Sequence, residues 1–503
     1  MKKIYLMALC VAVAAFAGCD PKEQIPAPEA EFLTYFGFEA KEGVFPEAVK
    51  VEEPEASGVI SFTTPVGTDA SAYKGLVPVF ETTSPDAVVT DAEGNVITSG
   101  EAYDFAEEVE IYVTMTNEGG ETSTMYTISI KAKEALSWRL LAETTEEAGY
   151  TPFMAINPKD GLPYVASRLN SDAGYFPMAY KVTDGAFAPV VGTSPVFRNF
   201  RTDEVALGFG PDGVVYTIFR DYEKGTTADL AKTSVMKLDG TPSFVGEQCA
   251  MVYPREVPAI FPKSANEIWV GYTAGKAVGS VASRCLELAK WDGAAWSTEM
   301  EIAGRNAADY AYYVKSVHAD GVDYMFVYNQ NSHSVSLYKL GDNGWTTVVE
   351  ALKFNKADGS AGTEKMLNLR SLDCDVASNG DVYFMVGCQF VTETYNVAVV
   401  RYRPSDQSQT IIGGVTEWDI DNERYFSMAL DAYDVPYIAF RNAAESKLYV
   451  QYIDNKTKTW SAATPVSTCT VEDMPTIRFN EAGVGYIAAY NEDNKHIQMY
   501  IAE

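Results

Sequence analysis

Histidine is scarce in this 503-residue chain, with only three in all. A metal centre built on histidine, or a catalytic triad with a histidine base, is therefore poorly supplied. No HExxH, GxSxG, Walker-type or GxGxxG segment occurs in the context its chemistry needs. No two cysteines have CxxC spacing, which speaks against a cysteine-ligated metal. No cofactor and no metal is therefore expected. Positive charge is scarce as well: 39 Lys and Arg stand against 69 Asp and Glu, and the net charge is −30. A field of that sign repels nucleic acid and anionic membrane surfaces. The long apolar run IYLMALCVAVAAF covers only 13 residues, too few for an ordinary membrane span.

That run follows MKK and ends in AGC at Cys19, which is the shape of a secretory leader. Small residues before a cysteine resemble a bacterial lipobox. The resemblance implies a leader over residues 1–18 and lipidation of Cys19. Membrane attachment would then be through acyl chains alone. Residues 19–30, with IPAPEAE, read as a linker. The five cysteines beyond Cys19 lie in a compartment that permits disulfides. Cys374 and Cys388 flank one predicted hairpin and form the candidate pair, with buried free thiols as the alternative.

The remainder divides in two. Residues 20–136 hold 23 acidic residues, six lysines and no arginine, whereas all 14 arginines follow residue 138. Segments such as SGVISFTTPV and EVEIYVTMTNEGGETSTMYTISIKA read as short strands, the latter a hairpin turning at NEGG. About 100 residues of this kind predict a β-sandwich over 31–135. By composition the stretch resembles immunoglobulin-like modules.

From 136 to 503 the chain repeats. Turn phrases such as KDGLPY, PDGVVY, SNGDVY and AGVGY deliver an aromatic into an apolar strand. The aromatics are Tyr164, Tyr216, Trp269, Tyr324, Tyr383, Tyr437 and Tyr486, spaced by 52, 53, 55, 59, 54 and 49 residues. A further strand and turn follow in each unit, for example SVMKLDG and LELAKWDG. Four strands at such a period predict the blades of a β-propeller, here seven. The last unit ends after its third strand, IQMYIAE. Residues 137–144, LSWRLLAE, are expected to supply its missing outer strand and close the ring.

Two second strands carry nearly the same phrase, PYVASRLN and PYIAFRN, and their ends are expected at one rim. The candidate ligand residues there are Arg168, Asn170, Arg220, Tyr222, Arg255, Tyr328, Arg370, Arg424, Arg441, Asn442 and Tyr490. Nine of the 14 arginines fall in the loops of that rim. Arginine binds carboxylate, sulfate or phosphate through a planar fork and also donates to sugar hydroxyls. Tyrosine offers a face on which a sugar ring stacks, and asparagine supplies paired donor and acceptor groups. Arginines at blade ends also tie neighbouring blades through salt bridges, which is the structural alternative. Asp203, Glu204, Glu256, Asp309, Asp421, Glu423 and Asp473 lie near the same rim and read as solvated charge or as carboxylates for a glycosidase. The acids of DIDNE, 419–423, could hold calcium but lack the EF-hand pattern.

Taken together, lipobox, linker, sandwich and propeller resemble the surface lipoproteins of Sus-type glycan-capture systems in Gram-negative gut bacteria. The resemblance implies a non-catalytic glycan-binding protein on the outer membrane, facing the cell exterior. Its ligand would be a polysaccharide or oligosaccharide, neutral or acidic, and its partner an outer-membrane transporter complex. Two alternatives come from other classes. One is a protein-interaction propeller within a surface complex, and the other is a polysaccharide lyase or glycoside hydrolase.

Overall fold

A computed structural model describes residues 26–149, 152–171, 174–223, 231–319, 321–355, 372–388, 396–416, 426–442 and 444–502. The described residues are all-β, with many antiparallel sheets and a single 3-10 turn at Ala70–Tyr73. None of their helices is long and apolar enough to cross a membrane. The chain forms two compact units.

The first unit comprises residues up to Glu39, Ala48–Phe62 and Tyr73–Ile130. In its three-stranded sheet, Leu33–Phe38 lies between Val49–Glu52 and Pro78–Thr82. Its second sheet runs in the order Val59–Thr64, Gly120–Ala132, Val109–Asn117, Val88–Asp91. Val59–Thr64 alternates strictly between exposed and buried, as a strand with one wet face must. The core is aromatic: the Phe38 ring lies 4.9 Å from those of Phe62 and Phe105. Asn117 opposes Gly120 at the tip of the expected hairpin.

The second unit comprises Ala40–Glu47, Thr63–Ala72 and Lys131–Glu503. The division is therefore not a single cut near residue 135. Val66 explains part of this, because it is buried in one cluster with Tyr437 and Tyr500.

Among the described residues, the second unit holds seven sheets in chain order. Their first strands are Phe153–Ile156, Thr202–Phe209, Ala259–Ser264, Ala311–Ala319, Leu372–Val376, Phe426–Leu430 and Val471–Phe479. We number the sheets 1 to 7 accordingly. In sheets 1 to 6 four strands follow one another in antiparallel order, with Met251–Val252 also pairing in sheet 2 and Thr464–Pro465 in sheet 6. In sheet 7 the fourth place is taken by Trp138–Glu143, which pairs with His496–Ala502. In several sheets the turn between first and second strands takes a left-handed residue. Gly213 supplies it at φ 80° and Gly380 at φ 83°, while Asp434 takes it at φ 58° in sheet 6.

The recurring aromatics all sit in second strands. Those strands are buried on both faces: Pro163–Ser171 is buried through its first five residues, as is Pro436–Arg441. Each large apolar side chain buried this way contributes about 1.5–3 kcal/mol. The burial is mutual between neighbours. Tyr164 and Ala166 of sheet 1 share a cluster with Val205 and Leu207 of sheet 2. The pattern continues from sheet to sheet, and Val165 and Tyr180 of sheet 1 pack with Tyr486 and Met499 of sheet 7. The clusters thus run in a closed cycle.

The expected Cys374–Cys388 pairing is corrected. Cys374 is a buried free thiol facing Phe384 across the sheet, within the cluster shared by sheets 4 and 5. Cys388 lies beyond the end of the first strand, which pairs no further than Leu372 with Val386.

Candidate functional site

The first strands of six sheets, together with the segment before the first strand of sheet 3, line a cavity of about 200 Å³. All seven sheets, or the residues leading into them, contribute to its wall. Met154, Glu204, Glu256, Lys315, Asp373, Ser427 and Arg478 stand for the seven in order, and Arg168 and Tyr313 add to it.

Sheet 2 shapes one part. Its first strand carries an irregularity between Asp203 and Ala206, and Glu204 within it adopts φ 54°. Such bulges re-aim side chains, and a left-handed non-glycine residue costs about 1–3 kcal/mol. Asp203 is thereby placed against Arg168 of sheet 1 in a close ion pair. The Tyr222 hydroxyl donates to the other Asp203 oxygen at 2.9 Å. The Arg168 guanidinium also covers the Tyr175 ring, 4.4 Å from its centroid. Arg201 lies 4.5 Å from the centroid of the Tyr222 ring. Glu204 itself makes no hydrogen bond or ion pair among the described residues. Burial pushes its carboxyl up to about 7; Glu256 and Asp203 add to the rise, and Arg220 and Arg168 oppose it.

Sheets 4 to 7 build the rest. Asp373 is buried and accepts hydrogen bonds from the Ser427 hydroxyl at 2.7 Å and from the amides of Met428 and Cys374 at 3.1 Å. Lys315 stands 3.5 Å from it and Arg478 3.8 Å. Burial alone would raise the Asp373 pKa, but the two cations and the Ser427 and Met428 hydrogen bonds hold it below the usual carboxylate range. Burial lowers the Lys315 pKa, with Asp373 opposing. Thr476 donates from sheet 7 to the Pro152 carbonyl at 3.1 Å, joining the last sheet to the first.

The expected site residues separate into groups. Arg168 lines the cavity. Arg220 does not: it donates to the carbonyls of Pro254 at 2.8 Å and Arg255 at 2.7 Å, tying sheet 2 to the segment before sheet 3. Tyr222 is buried behind Asp203. Arg255 is half-buried beside cavity-lining Glu256. Asn170 faces Tyr175 across its hairpin. Arg441 donates to Ser446 Oγ at 2.6 Å, and Asn442 Oδ1 accepts the amides of Ala444 at 2.9 Å and Glu445 at 3.1 Å. Both therefore close their own hairpin. Tyr328 and Tyr490 are buried in hydrophobic clusters, where burial raises the Tyr328 hydroxyl pKa. Arg370, Arg424 and Cys19 lie outside the described residues, as do Asp421, Glu423 and the rest of DIDNE.

Asp309 is buried and bonds the amides of Asn331 and Ser332. Asp221, Glu223 and Cys249 bring ligand atoms within 4.8 Å of one another, but Arg198 already pairs with both carboxylates, at 3.2 and 3.1 Å. The histidines lie elsewhere than in the cavity wall, with His318 on Asp323 and His496 on Glu143.

Sequence reasoning missed Lys315, Asp373 and Arg478. Their signal was charge inside an otherwise apolar strand, single in YVKSV and PTIRF and alternating in SLDCDV. Such a charge is costly unless it faces a polar space.

No protein-family model matches the chain, and no curated protein matches it by sequence. Among solved structures it is similar to the polysaccharide lyase Uly1, at 11% identity and a TM-score of 0.41, over 73% of this chain and 91% of that one. It is also similar to a PL25 ulvan lyase, at 9% identity and a TM-score of 0.41, over 71% and 95%. A third is the SapL1 lectin in complex with alpha methyl fucoside, at 11% identity and a TM-score of 0.34, over 59% and 90%. By their names these neighbours act on or bind carbohydrate.

Proposed function

We propose that the second unit is a seven-bladed β-propeller whose central cavity binds a saccharide. The first unit would be an immunoglobulin-like spacer, carried on a lipidated Cys19 at the outer membrane of a glycan-capturing cell. One observation carries the reading: all seven sheets, or the residues leading into them, contribute to the wall of a single cavity, in which charged and polar side chains such as Arg168, Glu204, Lys315 and Ser316 stand among apolar ones such as Phe153, Val205 and Val314. Ligand sites have this composition. At about 200 Å³ the space is smaller than the roughly 300 Å³ at which drug-sized pockets begin, and it suits one sugar ring or a chain end. The hydroxyls of Ser316 and Thr476 and the Glu204 carboxylate offer complementary donors and acceptors to such a ring.

The test is a binding screen of residues 20–503 against neutral and acidic polysaccharides, with reducing sugar assayed in parallel. Binding without sugar release supports the binding protein. No binding to any polymer favours a protein-interaction propeller in a surface complex. One observation favours a second, catalytic reading: Glu204, with its pKa of about 7, is poised for proton transfer near neutral pH. Sugar release that vanishes in Glu204→Gln would establish it. For the anchor, Cys19→Ala should move the protein from the membrane to the soluble fraction, and a still-anchored variant would refute lipidation.

A further inference from the structure

The cavity wall carries charge of both signs in balance. Glu204, Glu256 and Asp373 stand against Arg168, Lys315 and Arg478. Each cation already faces a carboxylate. Arg168 closes on Asp203 and lies 4.4 Å from the centroid of the Tyr175 ring. Lys315 and Arg478 stand 3.5 and 3.8 Å from Asp373 and favour its charged form. Arg478 also acts on buried Asp375, and its Nη1 donates to the carbonyls of Ile477 at 2.7 Å and Met428 at 3.3 Å. An anionic ligand group would give up its water for cations that are already answered, which is unfavourable. It would also meet the carboxyls of Glu204 and Glu256.

Glu204 is set apart in this wall. The bulge of sheet 2 holds it at φ 54°, a costly conformation for a residue with a side chain, and its carboxyl makes no hydrogen bond or ion pair among the described residues. Around it stand Arg168 from sheet 1, Asp203 and Arg220 from sheet 2, and Glu256 from the segment before sheet 3. Burial lifts its carboxyl to about 7, with Glu256 and Asp203 adding and the arginines opposing, so near neutral pH it can serve a hydroxyl as donor or as acceptor. Backbone strain and an unused polar group in one cavity residue point to a ligand. We propose that the cavity takes a neutral sugar ring, with Glu204 as the residue that hydrogen-bonds a ring hydroxyl and excludes uronic and sulfated sugars. This rests on the saccharide-binding reading and names the class of sugar. Selection of this kind works by repulsion as well as by attraction.

The experiment is calorimetric titration of residues 20–503 with glucose against glucuronate and galactose against galacturonate, then with neutral, uronic and sulfated oligosaccharides. The neutral sugar should bind at least about tenfold tighter than its acidic counterpart, a modest figure for a like-charge contact. That margin should widen as pH rises through about 7 and Glu204 loses its proton. Glu204→Gln keeps a hydrogen-bonding group but removes the charge, and should cut the margin at least about threefold and abolish its change with pH. Glu204→Ala should weaken binding of the neutral sugar about tenfold. Should that variant unfold, Glu204→Gly, which suits φ 54°, takes its place. Acidic sugars binding as tightly as neutral ones would overturn the neutral preference while leaving saccharide binding intact. A margin indifferent to pH and to the Glu204 variants would overturn the part given to Glu204. No binding of any sugar would refute the saccharide reading and this inference with it.

Discussion

Sheets 1 and 6 write the same phrase in their second strands, PYVASRLN and PYIAFRN, and use its arginine differently. Arg168 leaves its sheet, pairs with Asp203 of sheet 2 and lines the cavity. Arg441 donates to Ser446 of its own hairpin at 2.6 Å. The strands are alike, each buried through five residues, so the difference lies in what they meet. Sheet 2 offers Arg168 a bulged strand with an acid turned towards it. At the end of sheet 6 the hairpin itself supplies a partner, Ser446 Oγ. A repeated phrase therefore specifies a strand and its burial, while the neighbouring sheet decides the work of the side chain that leaves it.

Both sheets sit in one closed cycle of clusters. Deleting residues 137–144 would open it, stripping the partner from His496–Ala502 and baring an edge. The midpoint of thermal unfolding should fall by about 10 °C or more, read by scanning calorimetry. An unchanged midpoint would mean that closure contributes nothing. Next in size is the contrast between the two partners. Asp203→Ala strands Arg168 and the Tyr222 hydroxyl and should cost about 3 kcal/mol in urea unfolding. Ser446→Ala removes one hydrogen bond at the hairpin and should cost less than about 1 kcal/mol.

The bulge that distinguishes sheet 2 also predicts a pH effect. The Glu204 pKa is raised to about 7 in the folded chain, above about 4.3 when unfolded. Between those values the folded state holds the extra proton, so its contribution is complete below the unfolded value and is lost as pH rises towards 7. The stability of the wild type relative to Glu204→Gln should fall by about 2 kcal/mol from pH 4.5 to 7. A difference independent of pH would place Glu204 in water. The smallest effect is the sharpest for function. Arg168→Ala should weaken saccharide binding about tenfold, and Arg441→Ala by less than about twofold, in the same titration. Equal losses would erase the distinction between the two arginines.

Much of the fold was legible in the sequence because it rests on period and composition. Tyr164 to Tyr486 mark the second strands at a spacing near 50, and apolar runs between glycine or aspartate turns mark the rest. Trp138 in LSWRLLAE signalled the outer strand that pairs with Ala502. The site was read only in part. Arg168 reaches the cavity, and Glu204 and Glu256 were noticed at the rim, yet Tyr328 and Tyr490 turned inward. At the end of a strand, a shift of one residue reverses the face a side chain presents, and composition does not fix that shift. Lys315, Asp373 and Arg478 come from three sheets and meet only through the closed cycle, a relation that no local pattern encodes. Charges embedded in otherwise apolar first strands are the trace they leave.

The most direct test of the cavity as the binding site is to fill it. Ser316 lines the space from sheet 4. Ser316→Trp should abolish saccharide binding in calorimetric titration, with the thermal midpoint within a few degrees of wild type. Undiminished binding by that folded variant would place the ligand elsewhere and contradict the account.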